Sequence, residues 1–121
     1  MSKILVIDDD VEIRLFLLNL LQAKGHIVIS AENGDVGIKL AAQELPDLIL
    51  MDLNMPVMDG FKATQAIKAN SETANISVLI LSAEHAEANR EAMYEAGCDG
   101  FIAKPIEIGR LFARLSEFIN D

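Results

Sequence analysis

Short aliphatic runs alternate with stretches of helical periodicity from one end of the chain to the other. Ile4-Leu5-Val6-Ile7 is continuously apolar and stops at Asp8-Asp9-Asp10. An apolar run without alternation predicts a strand buried on both faces, as parallel strands are. The next segment carries Ile13, Phe16, Leu17, Leu20 and Leu21 at helical spacing. That spacing predicts a helix capped by Asp10, stopped by Gly25, with those five side chains inward. Ile27-Val28-Ile29 predicts a second strand. Asn33-Gly34 opens a second helix through Gln43, with Gly37, Ile38 and Ala41 inward. Gly37 weakens that helix by about 1 kcal/mol relative to Ala.

Pro46 leads into Leu48-Ile49-Leu50-Met51, a third strand that ends on Asp52. The loop from Leu53 to Gly60 carries the turn signals Pro56 and Asp59-Gly60. A helix with Phe61, Thr64 and Ile67 inward follows. Ile76 to Leu81 predicts the fourth strand, ending at Ser82, and Ala86 to Ala96 the fourth helix, closed by Gly97. Phe101-Ile102-Ala103 is a short fifth strand broken by Lys104-Pro105. Ile108, Leu111, Phe112, Leu115, Phe118 and Ile119 mark the last helix.

Strand and helix thus alternate five times. Parallel strands need crossover connections, so this order predicts a doubly wound α/β fold with helices on both faces of a five-stranded parallel sheet. No repeat or linker interrupts it, and residues 1–121 read as one domain.

Composition narrows the function. The hydrophobic share of 51% and charged share of 24% exclude disorder. A net charge of −9 argues against nucleic acid as a direct ligand, because phosphate neutralisation needs a basic footprint. The one cysteine, Cys98, excludes an internal disulfide framework and a cysteine-based zinc cluster, and reads as a core residue. No apolar run approaches the ~20 residues of a membrane span, and the N-terminal run is too short for a secretory signal. The expectation is a cytoplasmic domain without membrane contact.

In such sheets chemistry gathers outside the carboxyl ends of the strands. Asp8, Asp9 and Asp10 stand after the first strand, Asp52 after the third, Ser82 after the fourth and Lys104 after the fifth. Each alone is ordinary, and Asp10 is read as a helix cap. Together they crowd carboxylates that repel one another unless a cation intervenes. Oxygen donors without His or Cys point to a hard ion, and Mg²⁺ suits one that keeps waters and recruits phosphate. Lys104 adds a point charge suited to phosphate. Carboxylates, Mg²⁺, hydroxyl and ammonium describe a phosphoryl-transfer site, in which a carboxylate can itself be the nucleophile. Asp52 is the candidate nucleophile, because it stands singly at a central strand end and leaves Asp8 and Asp9 for the metal.

These motifs carry a resemblance. Ile-Leu-Val-Ile-Asp8-Asp9, the run from Asp47 through Met51, Asp52, Pro56 and Asp59 to Gly60, Leu-Ser82-Ala83 and Lys104-Pro105 are similar, in order and spacing, to the receiver domain of two-component response regulators. The resemblance covers essentially the whole chain and implies a flavodoxin-like strand order of 2-1-3-4-5. It implies Asp52 as phosphoacceptor and Asp8, Asp9, Asp52 and the carbonyl of Asn54 as Mg²⁺ ligands, with Mn²⁺ as substitute. It implies Ser82 as the switch hydroxyl, Lys104 as the phosphate-pairing lysine, Phe101 at the aromatic switch position, Pro105 as a cis proline, and Asn54 and Glu84 as positions that tune phosphate lifetime. The partners it implies are a sensor histidine kinase or histidine phosphotransfer protein as donor. A downstream protein is expected on the fourth helix, fifth strand and fifth helix, at Glu87, Arg90, Glu91 and Glu95. The domain itself is expected to be a monomer or a weak phosphorylation-dependent dimer. It is not expected to turn over external substrates, only to catalyse its own phosphorylation and dephosphorylation.

Two other functions fit parts of the pattern. Asp8 and Asp10 have the spacing of a haloacid-dehalogenase-type phosphohydrolase, but Val11 and Glu12 follow where a hydroxyl is expected, and no cap segment is present. A flavodoxin would need a phosphate loop where this chain has an acidic triplet. His26 and His85 are assigned no phosphotransfer role. Met55 and Met58 read equally as contact surface or packing, and Leu15 and Leu18 read as an apolar docking patch on the first helix.

Overall fold

The structure is a computed structural model and describes residues 2–53, 55, 57–83 and 87–119. Ten elements alternate: β1 (Lys3–Ile7), α1 (Val11–Ala23), β2 (Ile27–Ala31), α2 (Gly34–Glu44), β3 (Leu48–Asp52), α3 (Gly60–Ala69), β4 (Ser77–Ala83), α4 (Glu87–Ala96), β5 (Gly100–Lys104) and α5 (Ile108–Leu115). All strand pairs are parallel and the order is β2-β1-β3-β4-β5. The chain therefore reverses its winding between β1 and β3, and the crevice there is where such sheets bind ligands.

Period-two alternation sorts the strand residues into two cores. Ile4, Val6, Leu48, Leu50, Leu79, Leu81 and Ile102 pack with Leu17 and Leu21 of α1 and Leu111 and Leu115 of α5. Leu5, Ile7, Ile49, Met51, Val78 and Ile80 pack with Ala41 of α2, Ala63 and Ile67 of α3, and Met93 of α4. Helices begin where polar side chains replace missing helical partners. Asp10 accepts from the Glu12 amide, Asn33 from Val36 and Asp59 from Lys62, each at 2.9 Å.

Gly37, a weak choice for helix α2, is required by packing: a Cβ there would run into the Ile7 side chain. Gly60 opens α3 against the Asp52 carbonyl with no room for a side chain, so β3 and α3 close tightly around the strand end. Val57 stands in the loop between them at φ 71° and is 84% exposed, a left-handed conformation that a β-branched residue rarely adopts.

At the opposite edge of the sheet Lys68 ties four segments together. Its Nζ donates to the carbonyls of Ala74 (3.2 Å) and Ile76 (2.6 Å) and to Asp99 Oδ2 (3.0 Å). That same Asp99 oxygen accepts from the Val78 amide at 2.8 Å.

Several side chains differ from the periodicity reading. Phe16 is 42% exposed rather than inward, because Leu17 and Leu21 take the sheet-facing line of α1 and turn Phe16 onto its flank. Ile108, the first residue of α5, is likewise exposed. Helix α5 ends at Leu115, although Phe118 and Ile119 still pack on its core from the turn beyond. Leu18 packs against the core and only Leu15 of that pair is exposed. Met55 and Met58 are half-buried against the α2–α4 core, and Cys98 is buried within it.

Candidate functional site

Alternation also decides which side chains meet at the carboxyl edge. Asp8 continues the Ile4–Val6 parity, Asp52 the Leu48–Leu50 parity and Lys104 that of Ile102, so all three rise on the α1–α5 side. Asp52 and Lys104 are the last residues of their strands rather than loop residues beyond them, and the ladder itself holds their main chains.

Asp8 is fully buried and Asp52 nearly so, while Asp9 is exposed. One carboxylate oxygen from each of the three lies within 4.8 Å of the others. Lys104 Nζ spans the pair, 2.8 Å from Asp52 Oδ1 and 3.3 Å from Asp8 Oδ2. Asp8 Oδ1 accepts from the Asp10 amide at 2.9 Å. Asp10 points its own carboxylate to the α1 cap and is exposed, so the Asp8–Asp10 spacing does not make a paired catalytic site.

Burial pushes the Asp52 carboxyl up to about 6, and the neighbouring Asp8 charge adds to this while Lys104 opposes it. Burial likewise raises Asp8 against the pull of the Asp10 amide and Lys104. For Lys104, burial works towards the neutral amine, but the two carboxylates outweigh it and raise the ammonium above its ordinary value. One fixed positive charge thus faces three carboxylates. The deficit, the all-oxygen donors and the absence of His or Cys from this cluster fit a hard divalent cation.

Ser82 lies on the other face of β4, with Val78 and Ile80, and is buried. Its Oγ has no hydrogen-bond partner among the described residues, an uncommon state for a buried hydroxyl. Phe101 pairs with Ile80 and Ala103 with Ser82, so Phe101 and Ser82 are diagonal neighbours on that face. The half-buried Phe101 ring carries the Arg90 guanidinium of α4 at 4.8 Å from its centroid. The Lys104–Pro105 peptide is cis. Asn54, Pro56, Glu84 and His85 lie outside the described residues, as does the Glu87 side chain. His26 is buried just before β2, at the end of the sheet away from the site, and its Nδ1 accepts from the Ser2 amide at 3.4 Å.

Arg14 was not singled out by motif. Its Nη1 donates to the Asp8 carbonyl oxygen at 2.6 Å. The available signal was its place in line with Leu17 and Leu21 on one side of α1, a charged side chain one turn before a buried row and one turn after Asp10.

Among the described residues no helix is long and apolar enough to cross a membrane. The family model for the response regulator receiver domain matches residues 4–116. Protein PilH of Pseudomonas aeruginosa is 36% identical over 107 residues, covering 88% of each chain. The chemotaxis protein CheY4 of Vibrio cholerae superposes with a TM-score of 0.93 at 29% identity, over 98% of this chain and 99% of that one. The receiver domain of the sensor histidine kinase PA1611 of P. aeruginosa, with a magnesium ion coordinated in its active site cleft, superposes with a TM-score of 0.90 at 28% identity, over 99% of this chain and 98% of that one. With its strand order, strand-end chemistry and family match in agreement, this chain belongs to the response regulator receiver domains, signalling modules of two-component systems.

Proposed function

We propose that Asp52 is the phosphoacceptor of this receiver and that a phosphohistidine of a sensor histidine kinase or histidine phosphotransfer protein is its donor. A carboxylate oxygen of Asp52 forms the new P–O bond, the donor's P–N bond breaks, and the imidazole nitrogen leaves with the electron pair and takes a proton. The observation that carries this reading is the buried Asp8–Lys104–Asp52 constellation with Asp9 beside it at the switch point of the sheet. Asp8, Asp9 and Asp52 would hold Mg²⁺ or Mn²⁺, joined by Asn54, which the family resemblance adds. An ion held there would neutralise charge on the phosphoryl oxygens. Lys104 holds the Asp52 carboxylate in place beforehand and is the fixed cation for the phosphoryl group afterwards. Residues 1–121 act as one unit in this reading, and the same site catalyses its own dephosphorylation, with Asn54 and Glu84 tuning its rate. A donor of this class places the domain in the cytoplasm.

Ser82 supplies the readout. Its unpartnered Oγ is a donor in waiting for a phosphoryl oxygen on Asp52. Movement of Ser82 towards that oxygen opens space on the face it shares with Phe101, and output leaves through α4, β5 and α5, where Arg90, Glu91 and Glu95 are exposed. A partner protein or a weak second copy docks there. The donor approaches the opposite side, where exposed Val11, Leu15 and Phe16 flank a recess lined by Ile13, Phe16, Lys104, Pro105 and Ile106.

Intact-mass labelling with an acyl phosphate tests the assignment. One phosphoryl group per chain is expected with Mg²⁺, and none in EDTA or in Asp52→Asn. Labelling that survives either condition overturns it.

A further inference from the structure

We propose that Arg14 is a positioning residue for the metal-binding carboxylates, acting on Asp9 through the main chain of Asp8; this rests on the phosphoacceptor reading above. Its bond to the Asp8 carbonyl is short and charge-assisted, made from a half-buried place one turn into α1. Asp8 is thereby held at four atoms. Its amide donates to the Ala31 carbonyl at 3.1 Å, Oδ1 accepts from Asp10 at 2.9 Å, Oδ2 from Lys104 at 3.3 Å, and its carbonyl oxygen from Arg14 at 2.6 Å.

Two of these contacts bear on Asp9: the Asp10 amide on Asp8 Oδ1 closes a turn around it, and Arg14 fixes the peptide that enters it. A carbonyl and the following amide share one rigid plane, so fixing the Asp8 oxygen fixes the direction in which the chain enters Asp9. Asp9 is the exposed member of the trio and is not among the carboxylates that Lys104 grips. Among the described residues its side chain meets the site only at the Asp52 carboxyl, so its aim depends on its backbone, and Arg14 helps set that backbone without touching a carboxylate of the site.

Charge and position make opposite predictions. A guanidinium near the cluster repels a divalent cation, so if charge were its whole effect, its removal would tighten metal binding. If it positions Asp9, its removal loosens binding, and groups that orient metal ligands typically contribute about 10-fold to affinity.

The test is Mg²⁺ titration of the full chain by calorimetry and by the Asp9 and Asp10 amide NMR shifts, alongside acyl-phosphate labelling rates and thermal melts in EDTA. Arg14→Met should raise the Mg²⁺ half-saturation about 10-fold, lower the rate at saturating Mg²⁺ far less, and displace the Asp9 amide resonance before any metal is added. Arg14→Lys keeps the charge but not the guanidinium's reach, and should lie between, at about 3-fold. Unchanged or tighter Mg²⁺ binding in Arg14→Met overturns the proposal, as does a lower melt in EDTA with half-saturation unmoved. If the Met variant fails to fold, wild-type affinity in Arg14→Lys overturns it instead. A wild-type chain that takes up no Mg²⁺ overturns the metal-site reading itself, before any variant is compared.

Discussion

Asp52 is held in an environment that favours its neutral form, and this has a pH signature. Its folded value of about 6 lies above the ordinary 3.8, so between these values the folded state binds the proton that the unfolded state releases. Stability from this group is fully present below the ordinary value and is lost as pH rises through the folded one. In metal-free protein the advantage of Asp52→Asn over wild type should therefore grow from pH 4 to pH 7 and then level off. Paired melts in EDTA across that range check it; a constant difference between the two chains would contradict the assignment. Val57 offers a second test at this scale. Its left-handed backbone carries strain of about 1–3 kcal/mol that glycine does not have, offset in part by glycine's freer unfolded chain. Val57→Gly should raise the unfolding free energy, read from denaturant melts, by a net of about 0.5–1 kcal/mol.

At the scale of elements, the strands were legible and the helix faces were less so. Continuous apolar runs of strand length fit strands buried on both sides, and period two together with the pairing register carries Asp8, Asp52 and Lys104 to one face. A helical stripe leaves its rotation open by a residue. Phe16 and Leu17 are adjacent and both apolar, and only packing selects Leu17. Residue type also hides contacts made to main chain. The letters place Arg14 in line with the buried row of α1 and Gly37 on the inner side of α2, but do not say that the one meets the Asp8 carbonyl or the other Ile7. The second contact is testable: Gly37→Ala improves helix propensity yet should destabilise by about 1–3 kcal/mol through overpacking. Ile7→Ala should be less harmful in that background than in wild type. Additive losses in a double-mutant cycle would show that the two side chains do not meet.

Over the whole molecule, the site is a concentration of charge that the fold tolerates for its use. Three carboxylates and one ammonium sit at the switch point of a sheet whose remaining interior is apolar. A cation that binds the folded state alone stabilises it by mass action, about 1.4 kcal/mol at ten times its dissociation constant. Mg²⁺ should therefore raise the wild-type melting midpoint, and the rise should shrink in Asp9→Asn and Asp52→Asn. Equal rises in all three chains would place the ion elsewhere.

The Lys68 knot lies at the other end of the same strands. It joins the end of α3, the turn before β4, the start of β4 and the approach to β5, all at the edge opposite Ser82 and Lys104. All three ammonium protons are committed to oxygen, so this end of β4 and β5 has little freedom to slide. On the proposed readout, displacement at the Ser82 end would become a tilt about a pinned foot, as a lever turns on its fulcrum. Amide exchange should accordingly stay slow at Val78 and Asp99 while phosphorylation alters it around Ser82. Cutting the knot with Lys68→Met would leave the lever without a pivot, and a push at Asp52 would be spent in slippage at the base.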